Sequence, residues 1–273
     1  MAERSPALFV SHGAPTELLQ SGAWQIAMET VGREIRPRAV IIMSAHWRSR
    51  NGFDVAYQNQ FETIHDFEGF SPQLSLFKYP AKGDLDLAKQ CVDLLNAASM
   101  RSNLDEHRGL DHGDYVPLHH IWKKADVPVI PVAISSKATP SDVFRAGEIL
   151  APLRNEGVMI IGSGGMVHNL SELTWERPRD ANPEPWAQEF QAWVIQMLRD
   201  RDFAALCNFQ EEAPHAKKAH PTWEHFAPLL FTAGATSTSY ELVDESMTEV
   251  YSGWTYRNLS MSCVGFGKIF RDS

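Results

Sequence analysis

The chain's 273 residues include eleven histidines, and several of these close apolar runs instead of lying in polar stretches. Residues 8–15, LFVSHGAP, run apolar up to His12 and then turn through Gly13 and Pro15. Residues 39–47, AVIIMSAHW, repeat that order and present His46, and residues 158–169, VMIIGSGGMVHN, break at glycines before His168. Other histidines sit in turn-forming segments: His65 in TIHDFEGF, His112 in GLDHGDYVPL, and His220 and His225 in HPTWEH. Imidazole binds metals and titrates near neutrality, so convergent histidines would hold a metal or move protons. One histidine alone is as well explained by capping or packing. Three apolar strands that deliver histidines at their C-terminal ends match the rim of an α/β sheet, where such folds place ligands.

The elements that must position these residues follow from apolar spacing. The first apolar run is a strand, and Glu17 to Ile35 carries Leu18, Ala23, Ile26, Ala27 and Val31 at helical spacing before Pro37. Strands are expected around 40–43, 53–58, 127–134 and 158–162. Helices are expected from Asp84 to Ala98, with Asp84 or Asp86 as cap, and from Thr139-Pro140 to about Asn155. Residues 184–199 form an amphipathic helix whose stripe of Trp186, Phe190, Trp193, Val194 and Met197 reads as core packing. A short helix near 202–209 and a helix from Pro221 to Ala233 follow, then strands at Tyr240–Val243 and Leu259–Phe266. The alternation predicts a single α/β domain over residues 1–273, a mostly parallel central sheet with helices on both faces. The GSGG run at 162–165 lacks the Lys-Ser/Thr of a phosphate loop and reads as a tight turn that positions His168.

Composition removes other classes. A formal net charge of −9 argues against nucleic acid, whose binding needs Lys and Arg on phosphates. No apolar run of membrane-spanning length is present, and MAERSPALFV lacks the order of a signal peptide, so a cytoplasmic protein without a membrane partner is expected. Cys91, Cys207 and Cys263 are far apart, which leaves a metal to histidines and carboxylates. At position 225, spacing alone leaves the ligand open: on a helix begun at Pro221, Glu224 and His225 would point about 100° apart.

Seven segments in order, LFVSHGAP, SAHW, TIHDFEGF, YPAKGD, LDHGDYVPL, GSGGMVHNL and HPTWEHFAPLLFTAGA, resemble the class III extradiol ring-cleavage dioxygenases, in the branch that contains DOPA 4,5-dioxygenases. The resemblance implies a non-haem metal enzyme that inserts O2 beside the diol of a DOPA-like or other substituted catechol. It places the metal on His12, His46 and His225. His168 falls on an acid/base histidine that some descriptions count as a fourth ligand, and His112 on a catalytic residue at the substrate side. His65, Trp47 and Tyr115 are the substrate-binding candidates, Trp47 and Trp223 flank ligands as pocket walls or as plain packing, and His220 is optional.

The wider class uses two histidines and a glutamate, so Glu224 stays as the alternative third ligand. Three ligands on one face of Fe(II) would leave positions for two catechol oxygens and O2. Fe(II) is the expected working metal, with Zn(II) able to accompany the purified protein. Which catechol, the side of cleavage and the oligomeric state are not legible. A zinc hydrolase on the same histidines is the rival reading, although neither HExxH nor GxSxG occurs; a non-enzymatic binding module would have no need of the histidines.

Overall fold

Strands β1 (Ala7–Ser11), β2 (Ala39–Ser44) and the longer run Val158–Gly164 are buried along their whole length, as strands covered on both faces must be. The computed structural model describes residues 4–174, 182–237 and 245–270. With β3 (Val129–Pro131), β4 (Val158–Gly164), β5 (Met247–Tyr251) and β6 (Cys263–Phe266), these strands form a six-stranded sheet of order β3-β2-β4-β1-β6-β5. The first four strands are mutually parallel, while β6 and β5 pair antiparallel at the other side. Because β1 and β2 leave a slot that β4 fills, the C-terminal ends of β2, β4 and β1 lie side by side, the place where open α/β sheets bind ligands.

Alternate side chains of each strand build two cores. Phe9, Ile41 and Ile160 join one with Phe190 and Phe231, while Leu8, Val10, Ile42 and Ile161 join the other with Trp24, Met28 and Tyr115. Helices therefore cover both faces: α1 (Ala23–Glu34) and α3 (His112–Ile121) on one, and α2 (Leu85–Ala97), α4 (Pro140–Leu150), α5 (Pro185–Asp200) and α6 (Ala227–Ser237) on the other. No helix among the described residues is long and apolar enough to cross a membrane.

Several expected elements are corrected. The single helix from Glu17 divides into a 3₁₀ turn, Pro15–Leu19, and α1, with Gly22 at the junction. The strand at 53–58 shrinks to Val55–Ala56, and α2 is capped by Asp84, whose carboxylate accepts from the Leu87 N–H at 3.0 Å. The Asp-His-Gly turn is the first turn of α3, capped by the reciprocal bonds of Asp111 and Asp114. Residues 221–226 precede α6 instead of belonging to it, so His225 stands on a turn and the helical-angle argument does not apply. The expected strand Tyr240–Val243 lies outside the described residues, whereas Cys263–Phe266 does sit inside the sheet between β1 and β5.

His220 packs against Phe190, Phe209 and Phe226, and its Nε2–H donates to the Met166 carbonyl at 3.0 Å. Burial lowers its pKa to about 4. The native protein then binds fewer protons than the unfolded chain between about 4 and the ordinary value of about 6.5, so stability falls as pH drops through that window. His220 is expected to account for a loss of about 2 kcal/mol between pH 7 and pH 5. Urea unfolding of metal-free protein at both pH values checks this, and His220→Asn should lose correspondingly less.

Candidate metal centre

Each of the three adjacent parallel strands carries a serine at its last or next-to-last position, and each of these hydroxyls is hydrogen-bonded. Ser11 Oγ accepts from the Met166 N–H at 3.2 Å. Ser44 Oγ accepts from the His46 N–H at 3.2 Å and donates to Asp111 Oδ1 at 2.6 Å, tying the His46 loop to the cap of α3. Ser163, in register with Ser44 across β2 and β4, lies 3.0 Å from His12 Nδ1.

The glycines of GSGG do not make the expected tight turn. Gly162 and Gly164 belong to β4, and a Cβ at Gly164 would lie 2.2 Å from the His225 carbonyl. That carbonyl accepts from the Gly165 N–H at 2.9 Å. The glycines thus let the turn carrying His225 dock on β4, and His168 follows with its own N–H bonded to the Ala219 carbonyl at 3.1 Å.

Five imidazoles converge above these strand ends. His12 and His46 face each other with Nε2 atoms 3.1 Å apart, close to the spacing of two cis nitrogens on one metal at bonds of roughly 2.1 Å. The ring centre of His225 is 5.6 Å from that of His12 and 4.9 Å from that of His46. His112 lies 5.3 Å and 4.0 Å from the same two rings. The ligand nitrogens of His12, His46 and His112 all fall within 4.8 Å of one another, a grouping suited to a metal ion. His168 stacks on His225 at 3.5 Å between ring centres.

The outer nitrogens are already engaged. His112 donates from Nδ1 to Asp66 Oδ1 at 2.8 Å, and His46 Nδ1 faces Asp66 Oδ2 at 3.8 Å. His225 Nδ1 donates to Glu224 Oε1 at 3.3 Å, and the same oxygen accepts from Thr222. This places a hydroxyl or carboxylate oxygen behind each of His12, His46, His112 and His225, the kind of partner that orients metal-bound histidines.

Electrostatics keeps the cluster ready for a cation. Burial, followed by the surrounding imidazoles, holds His12 and His225 well below the usual histidine range. Burial and then His112 lower His46 to about 4, and burial and then His46 lower His168 to about 4. Neutral imidazole is the form that binds metal. Burial raises Asp66, but the hydrogen bond and charge of His112 outweigh it and bring the carboxyl to about 2. An ionised Asp66 can only accept, so His112 carries a proton on Nδ1, and in the neutral ring the lone pair is the one on Nε2.

The model for the catalytic LigB subunit of aromatic ring-opening dioxygenase matches residues 6–262. The chain belongs to this family. Among its relatives, the 4,5-DOPA dioxygenase extradiol of Beta vulgaris is 35% identical over 87% of this chain and 90% of its own length. The enzyme of that name from Escherichia coli K12 is 35% identical over 97% and 95%. In structure, an uncharacterized protein from Escherichia coli K12 superposes with a TM-score of 0.79 at 32% identity, covering 97% of this chain and 100% of that one. The protein is thus a metal-dependent extradiol ring-cleavage dioxygenase, acting with O2 on a small molecule.

The remaining expected residues take defined places in the dioxygenase. Trp47 is buried beneath the Arg108 guanidinium, 5.2 Å from its ring centre. Tyr115 is fully buried with a hydroxyl that lacks a hydrogen-bond partner among the described residues. His65 is exposed and donates from Nε2 to the Phe77 carbonyl at 3.0 Å, closing the 65–77 segment.

Asp66 and Ser163 were not singled out by the sequence reading. Asp66 had a local signal, since it follows His65 within TIHDFEGF. Because its carboxylate serves both His112 and His46, Asp66→Asn is expected to weaken metal binding roughly 10–100-fold, the usual cost of an outer-shell partner. Competition of the metal-free protein with a chromogenic chelator measures it.

Proposed function

We propose that the dioxygenase uses Fe(II) held by His12, His46 and His225 to open the ring of a DOPA-like catechol in the cytosol. The observation that carries this reading is the convergence of the imidazoles over three strand ends, with their outer nitrogens turned to protein oxygens. The donor set fits the metal: neutral nitrogen ligands suit Fe(II) and Zn(II), and the redox chemistry favours iron. When bound, the metal supplies adjacent positions for the catechol oxygens and O2 and a route for electron density between them. Glu224 accepts the Nδ1–H of His225, which supports the imidazole over the carboxylate as third ligand. Free, separated Cys91, Cys207 and Cys263 support a reducing compartment.

His112, with its Nε2 lone pair set by Asp66, is placed to take a catechol hydroxyl proton. His168, stacked beside His225, then returns a proton during ring opening. Trp47 holds one wall through Arg108. Tyr115, whose buried hydroxyl lacks a hydrogen-bond partner among the described residues, is the remaining candidate for a contact with substrate. His65 clasps the segment that carries Asp66 and Phe67, and Phe67 lies 6.1 Å from the His112 ring.

Protein reconstituted anaerobically with Fe(II) is expected to open DOPA and related substituted catechols, followed by oxygen uptake and by the absorbance of the ring-opened product. The Zn(II) form should be inactive. Equal turnover with Zn(II) would contradict the iron assignment, and activity confined to catechols lacking the amino-acid side chain would contradict the substrate class.

A further inference from the structure

The hydroxyl of Ser163 sits between two groups that dictate the position of its proton. On one side Oγ lies 2.5 Å from the Gly113 carbonyl oxygen. A carbonyl can only accept, so the serine donates to it. On the other side Oγ lies 3.0 Å from His12 Nδ1. Serine has one proton; with that proton committed to Gly113, the oxygen must accept from His12. Ser163 is fully buried, and these are the two hydrogen bonds its hydroxyl makes among the described residues.

The Gly113 carbonyl is available for a reason visible in α3. In a regular helix it would accept from the N–H four residues later. That residue is Pro117, which has no N–H to give. Gly113 also has to be glycine, because a Cβ there would lie 2.3 Å from Ser44 Oγ. The proline inside α3 and the serine of GSGG thus form one chain of hydrogen-bonding consequences that ends on His12.

We propose that Ser163 is a positioning residue that fixes His12 as the Nδ1–H tautomer, so that its Nε2 lone pair faces His46 and the metal. The proposal rests on His12 being a ligand. Free histidine in water favours the opposite tautomer, with the proton on Nε2, which would block coordination through that nitrogen.

Long-range proton–nitrogen NMR of metal-free protein reads the tautomer, and chelator competition reads Zn(II) affinity. The native protein is expected to show Nδ1–H on His12. Ser163→Ala should move the proton to Nε2 and weaken Zn(II) binding roughly 10–100-fold, and Ser163→Thr, which keeps the hydroxyl, should restore both. Nε2–H in the native protein would overturn the proposal without any variant. So would a Ser163→Ala protein that keeps the native tautomer and affinity. Unchanged Zn(II) affinity in His12→Ala would instead remove His12 from the ligand set, leaving the tautomer result to stand by itself.

Discussion

His12→Ala and His46→Ala are each expected to purify without stoichiometric iron and to consume O2 with a catechol no faster than a protein-free control. Their Nε2 atoms are 3.1 Å apart, so both rings address one point, and three ligands are the minimum for a facial site. His225→Ala should lose the metal in the same way. His112→Gln should keep it and lose turnover, because that ring, hydrogen-bonded to Asp66, is proposed to take the catechol proton. Iron analysis of these four variants and of Glu224→Gln separates the choices: iron retained in His225→Ala and lost in His112→Gln would transfer the third position to His112, whose nitrogen also groups with those of His12 and His46. Iron lost in Glu224→Gln with His225→Ala fully loaded would give that position to the carboxylate.

His168→Gln is expected to hold iron and bind catechol anaerobically while turnover falls roughly 10²–10⁴-fold, the range for loss of a positioned acid/base group. Its ring lies face to face with His225, beside the proposed third ligand, and burial lowers it to about 4. It is therefore neutral at pH 7 and needs a proton from the substrate before it can act as an acid. Iron content, anaerobic catechol titration and oxygen uptake on this one variant decide the role. Lost iron would make His168 a ligand, and unchanged turnover would remove it from the reaction.

The sheet was legible because β1, β2 and β4 are apolar runs with histidines after their ends, and burial on both faces leaves that pattern in the sequence. The helix carrying His112 was not, since Gly113 and Pro117 read as breakers. The overlooked signal was the Asp111–Asp114 capping pair. In GSGG the glycines resembled a turn because their actual cause, the approach of the His225 carbonyl to Gly164, comes from a segment remote in sequence. For the same reason Ser163 was invisible: its partner His12 is 151 residues away. Individual histidines could be nominated from their local setting, whereas the groups that orient them required the fold.

The most direct test of the central claim is the balance of the reaction in protein loaded anaerobically with Fe(II): O2 consumed, catechol lost and the mass of the product. The account predicts one O2 consumed per catechol and a product heavier than the substrate by both oxygen atoms, with no hydrogen peroxide released. A product formed without O2 uptake would mean hydrolysis at the same histidines, and O2 uptake with a quinone and peroxide would mean oxidation without ring opening; either result would contradict it.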